Sequence, residues 1–169
     1  MSVVEGASIG GPVGVHPATL QTAVMDDETL SPAAIQAIVH RGVPLAAAWG
    51  IEVASAAGGS ATCRLPWREE LLRPGGTVSG PALMGLADVA MWAALLGISG
   101  GRDESLTTSL TIHFLRRLQP GPVLAEARVL KRGRIIVGEV LIRAEASEEI
   151  AAHVTTSWAA VSPAPRPSR

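Results

Sequence analysis

Asp88 is the only charged residue between Pro81 and Ile98, where every other position is apolar or glycine. An ionised carboxylate buried without partners carries a heavy desolvation cost, so such a group is paired, faces a wet cleft, or does chemistry. On a helical wheel Leu83, Leu86, Ala87, Ala90 and Ala94 share one face. Asp88 lies off that face beside Met84, Trp92 and Leu95, where a ligand or a partner subunit has room. These residues alone leave a second reading open, a buried carboxylate serving only as a structural hydrogen-bond acceptor. Nine residues upstream, Ser79 suits an N-cap and Pro81 suits the first helical turn. Between them the Gly80 amide sits at the positive end of the helix dipole, where it could hold an anion or an oxyanion. The same three residues equally suit an ordinary helix start.

Other candidate chemistry is sparse. Arg116 and Arg117, with Lys131, Arg132 and Arg134 flanking Gly133, form basic turns that could grip phosphates, though solvated turn charges fit equally. The histidines at 16, 40, 113 and 153 have no metal-ligand spacing. His113 and His153 read as hydrogen-bonded strand residues. Cys63 is the single cysteine, so no internal disulfide is possible, and it reads as a small apolar strand residue. No nucleophile elbow, phosphate loop or dinucleotide fingerprint occurs. The formal net charge of −1 gives no reason to expect nucleic acid.

The elements that would position Asp88 follow from periodicity. Ser31 caps a helix from Pro32 to about Arg41, ended by Gly42, and a short turn follows over 44–49. Strands are expected over 51–56 and 60–65. An apolar helix covers 81–98, and four more strands run over 106–114, 123–130, 135–143 and 150–161. The last four strands read as an antiparallel meander, with Gln119-Pro120-Gly121-Pro122 as one of its turns. In 106–114, Leu106, Leu110, Ile112 and Phe114 alternate with Thr107, Ser109, Thr111 and His113. A helix apolar all round is either buried or membrane-spanning. The central acid and the surrounding strands argue for burial inside a curled sheet. Residues 1–28 read as a flexible leader without a secretory signal, 29–161 as one domain, and the proline-rich 162–169 as a disordered tail.

The stretch Gly76-Thr77-Val78-Ser79-Gly80-Pro81-Ala82-Leu83-Met84-Gly85-Leu86-Ala87-Asp88 resembles the signature of phenylacetic-acid-degradation-type hotdog thioesterases. Thr107 to Arg117 resembles the next strand of that family, and the likeness extends over about Pro44 to Val161. It implies an α+β hotdog fold, about six antiparallel strands around a long central helix, in homodimers or homotetramers with active sites between subunits. It implies an acyl-CoA thioesterase in which the Gly80 amide polarises the thioester carbonyl and Asp88 acts as general base or nucleophile. Thr107 or Thr108 would take the part of a hydroxyl reaching the acid from the other subunit. Arg132, Gly133 and Arg134 would meet the coenzyme A phosphates, coenzyme A being part of the substrate. No metal or other cofactor is implied. The chain departs from the family pattern at Ser79, where a histidine is usual, at Pro81 in place of a glycine, and at Arg73 in place of an asparagine. An alternative of another class is a hotdog acyl-CoA-binding protein without turnover. The cytoplasm is the expected location, with no membrane partner.

Overall fold

The computed structural model describes residues 30–161, so the leader expected over 1–28 and the tail expected over 162–169 lie outside the described residues. Helix α1 (Pro32–Gly42) begins where expected, with the Ser31 hydroxyl accepting from the Ala34 amide at 3.2 Å. A second short helix, α2 (Pro44–Trp49), leads into β1 (Glu52–Ala57) and β2 (Ser60–Leu65). A 3-10 turn over Glu69–Leu71 precedes a two-residue hairpin, β3 (Leu72–Arg73) and β4 (Thr77–Val78). Sequence reading treats this hairpin as loop, because two-residue strands carry no period. Gly75 and Gly76 turn it with φ of 98° and 70°, values that residues with a Cβ rarely adopt.

Helix α3 (Gly80–Ser99) follows, 20 residues and about 30 Å long. It is long and apolar enough to cross a membrane, yet most of it is buried within the protein. The burial comes from a six-stranded antiparallel sheet completed by β5 (Leu106–Phe114), β6 (Val123–Lys131), β7 (Ile135–Ala144) and β8 (Ile150–Ala159). Alternate residues of each strand face α3. Cys63 on β2, Ala125 on β6, Val140 and Ile142 on β7, and Val154 on β8 are fully buried beside Leu86, Ala90 and Met91 of the helix. Cys63 is the small core residue its context suggests, and burial pushes its thiol up to about 12.

The strand order is β1-β2-β6-β7-β8-β5, which corrects the expected four-strand meander. Only β6, β7 and β8 form one. β5 pairs with β8 at the far edge of the sheet, so Gln119 to Pro122 belongs to a connection across the sheet rather than to a hairpin. This topology leaves β5 as an exposed edge, with Leu106 65% and Phe114 53% accessible.

Candidate active site

One face of α3 escapes burial. Between the helix start and Leu96, Gly80, Pro81, Met84, Gly85, Asp88 and Trp92 are the exposed or partly exposed positions, while Leu95 is buried. β5 runs beside this stripe. A bulge between Thr107 and Ser109 in its pairing with β8 decides which of its residues face the helix. Phe114, Ile112 and Leu110 lie opposite Ala152, Val154 and Thr156, on the inner face. Strict alternation would then turn Thr107 outward, but the extra residue Thr108 resets the parity. Thr107 comes opposite the buried Trp158 and faces α3, while Leu106 turns outward.

The consequence is a hydrogen bond from Thr107 Oγ1 to Asp88 Oδ1 at 2.8 Å, within one chain. The resemblance implies a hydroxyl from the other subunit; here Thr107 of the same chain reaches the acid. Thr108 goes elsewhere, with its Oγ1 3.0 Å from both the Ser157 carbonyl and the Ser157 hydroxyl. Burial pushes the Asp88 carboxyl above the usual range, opposed in part by the Thr107 hydroxyl, which favours the ionised form. Asp88 and Thr107 open onto a cavity of about 290 Å³ shared with Val43, Val89, Trp92 and Trp158.

The start of α3 lies at a second cavity, of about 200 Å³, lined by Gly80, Arg73, Phe114, Arg116 and Arg117 among others. The β3–β4 hairpin delivers Arg73 there, and the Ser79 amide donating to the Leu71 carbonyl at 2.9 Å pins the helix start. Ser79 occupies the N-cap position with extended backbone, but its hydroxyl makes no capping bond, contrary to expectation. A Cβ on Gly80 would lie 3.2 Å from Phe114 Cζ, so the glycine lets the aromatic ring close over the helix end.

The cations do not form the single cluster their types suggest. Ile135 aligns with Ala159 and Leu106, whereas Ile142 aligns with Ala152 and Phe114. The Arg132-Gly133-Arg134 turn therefore sits at the Leu106 end of the sheet. Arg116 and Arg117 follow Phe114 at the other end, about 27 Å along the strand. The Arg116–Arg117 cavity adjoins another of about 390 Å³ that shares Arg116, Arg117 and Leu118 and continues to Pro120 and Gly121. His113 and His153 pair on the outer face of the sheet, with His153 Nε2 3.4 Å from Glu139, away from Asp88. Among the described residues no three His, Cys, Asp or Glu side chains gather to hold a metal.

The thioesterase superfamily model matches residues 75–151, which span the start of α3, Asp88 and the strands that flank them. A protein of Silicibacter sp. TM1040, provisionally named a thioesterase, is 32% identical, with 79% of this chain and 93% of that one aligned at a TM-score of 0.71. The chain belongs to the thioesterase superfamily. A phenylacetic acid degradation protein of Thermus thermophilus is 27% identical over 70% of this chain and 99% of its own, with a TM-score of 0.62. A provisionally named esterase of Saccharolobus solfataricus is 29% identical over 100 residues, 59% of this chain and 71% of that protein. In this thioesterase-family chain the hotdog fold inferred from the Gly76–Asp88 stretch is present, with α3 as its central helix. Sequence reading did not single out Trp158, Gly42 or Val43 for the Asp88 cavity. They come from distant parts of the chain, and only the fold brings the end of α1 and β8 to one cavity.

Proposed function

We propose that this protein hydrolyses an acyl thioester to free acid and thiol, with Asp88 as general base on the attacking water. The observation that carries this reading is the Asp88–Thr107 pair, a fixed carboxylate on a cavity wall within an otherwise apolar helix. Water adds to the carbonyl carbon as Asp88 takes its proton. The tetrahedral oxyanion then collapses, the C–S bond breaks, and the proton passes to the departing thiolate. A carboxyl raised by burial is a better base near neutral pH than an exposed one. The Gly80 amide, free at the positive end of α3, suits the oxyanion.

Gly80 and Asp88 are eight residues apart on one helix, about 12 Å along its axis. A single carbonyl group cannot reach both. We therefore propose a homodimer paired antiparallel through β5, so that Gly80 of one copy and Asp88 of the other serve one thioester. Such dimers could pair again into a tetramer. The exposed edge with its Leu106 and Phe114 supports this arrangement.

Coenzyme A is the proposed thiol carrier, with no metal or redox cofactor, and the proposed location is the cytoplasm. The two cavities that share Arg116 and Arg117 support a phosphate path leading away from Gly80. Arg116→Ala with Arg117→Ala should raise KM about tenfold and flatten its salt dependence, with kcat near the parent value, since remote binding acts equally on ground and transition states. The same pair of substitutions at Arg132 and Arg134 is the comparison. A KM that responds only there assigns the phosphates to the β6–β7 turn.

Thiol release measured across a panel of acyl-CoAs tests the activity itself. Saturable acyl-CoA binding with no thiol released would instead identify a binding protein, a reading supported by Ser79 standing where the family usually has a histidine. Thr107→Val offers a check on the base. Without the hydroxyl that favours its ionised form, Asp88 should titrate higher, and the acid limb of the kcat profile should move to higher pH. A limb unmoved both in Thr107→Val and in Thr107→Val with Thr108→Val would remove the hydroxyl from the site.

A further inference from the structure

The cavity beside Asp88 has a wall that the hydrolytic step does not use. Trp158 is 4% exposed and lines the cavity from the inner face of β8, opposite Thr107. Its Nε1–H is the one fully buried side-chain nitrogen or oxygen among the described residues that finds no hydrogen-bond partner. Native interiors rarely leave such a donor unmet; the nitrogen is closed off as the ring stands, and a small turn of the indole would present it to an acceptor on a ligand in the cavity.

A second indole faces the same space. Trp92 comes from α3, and its ring edge rests on Gly42 at the end of α1. A Cβ at residue 42 would lie 2.5 Å from Trp92 Cη2 and 3.0 Å from Cζ3. Gly42 and Val43 precede residues 75–151, the part of the chain that the superfamily model matches. This wall is thus contributed from outside the matched region, and the absence of a side chain at 42 sets how far back Trp92 can lie.

The charges around the cavity have one sign. Asp88, Asp103 and Glu104 line it, and none of its lining residues is Lys, Arg or His. Asp103 is held in place by the Ser105 hydroxyl, which donates to Oδ2 at 2.7 Å. An anionic acyl group would meet repulsion there without a counter-charge. At about 290 Å³, and allowing each non-hydrogen atom roughly the 30 Å³ share of a water molecule, the space suits a group on the order of ten atoms.

We propose that this cavity is the acyl subsite, and that it selects short neutral acyl groups carrying a hydrogen-bond acceptor, read by Trp158 Nε1–H and sized by Trp92 against Gly42. The inference rests on the thioester-hydrolysing reading of Asp88, and the experiment separates the two. The probes are hexanoyl-CoA and its isosteres with an ether oxygen in place of one methylene, such as 4-methoxybutanoyl-CoA. Each is also made as a non-hydrolysable analogue with CH₂ replacing the thioester sulfur.

In ¹⁵N-labelled protein, with the indole resonance assigned through Trp158→Phe, at least one ether analogue should move the Trp158 N–H downfield more than the hexanoyl analogue does. In turnover, Trp158→Phe should cut the preference for that ether over hexanoyl about fivefold, the typical worth of one hydrogen bond. Glutaryl-CoA should be the poorest of the three substrates. Gly42→Ala, which pushes Trp92 toward the cavity, should lower kcat/KM for hexanoyl-CoA more than for acetyl-CoA. An indole resonance that ignores every bound analogue, or an ether preference unchanged in Trp158→Phe, overturns the proposal. A resonance that moves in a protein releasing no thiol keeps the subsite and removes the hydrolytic reading. Analogues that fail to bind at all remove the subsite.

Discussion

Asp88→Asn should lower the turnover of any thioester this protein hydrolyses by about 10²–10⁴-fold, the usual cost of losing a general base, while the variant melts no lower than the parent. The second half follows from the sign of the titration. Burial raises the folded-state pKa of Asp88 above its unfolded value. The stabilising contribution of such a group is present below the unfolded pKa and is lost as pH rises through the folded one. At neutral pH the ionised carboxylate is therefore a burden on the fold, and a neutral amide of the same shape is not. Activity runs the other way, since the base works only when ionised and fails as pH falls through the raised pKa. The check is kcat and melting temperature on one preparation at pH 7 and above. Wild-type turnover in Asp88→Asn would dismiss the base, and a large drop in melting temperature would show that the carboxylate is structural.

The second large effect concerns the edge of the sheet. Ser109 and Thr111 lie on the outer face of β5, opposite Ser157 and Thr155. Replacing both by lysine should leave the fold intact and block pairing between copies, because like charges meet across an antiparallel pair and lysines blunt an open edge. Light scattering should then report a monomer. Its turnover should fall on the order of 10²–10³-fold, the typical cost of removing an oxyanion donor, because Asp88 would have lost the Gly80 amide of the second copy. A folded monomer with undiminished kcat would end the shared-site proposal.

Much of the frame is legible in the residues themselves. The 18-residue apolar run announces α3, and period-two patterns bounded by glycine and proline give β2 and β5 without error and β1, β6, β7 and β8 to within two residues, while the two-residue β3 and β4 leave no such pattern. Neighbour relations are not written in that code. Gln119-Pro120-Gly121-Pro122 has the composition of a hairpin turn, yet the chain there crosses the sheet, because a turn motif fixes local direction and not which edge comes next. The bulge left a trace in the unbroken alternation of Leu110, Ile112 and Phe114, which stops at Thr108. Reading through that break groups Leu106 with Leu110, Ile112 and Phe114 on one face and hides the route from Thr107 to Asp88.

Asp88 was legible because one charge stands out in an apolar helix. The dispersal of the arginines was not, since the strand connections that part them depend on sheet order. The Ser79 hydroxyl has the type and position of a cap, but the helix start is held by backbone bonds at Val78 and Ser79 instead.

The bulge in β5 has a bearing on mutational tolerance. It holds two adjacent threonines, Thr107 and Thr108, and the inner face has a hydroxyl whichever of them is the extra residue. With the extra residue at Thr108, Thr107 faces Asp88, as in this structure. With the extra residue shifted one place back, Thr108 takes the inner position by simple alternation from Leu110. The partner of the carboxylate is thus encoded twice, and a sideways step of the backbone exchanges one copy for the spare. Thr107→Val together with Thr108→Val should therefore move the pH profile further than Thr107→Val alone, and the gap between them measures how freely that step is taken.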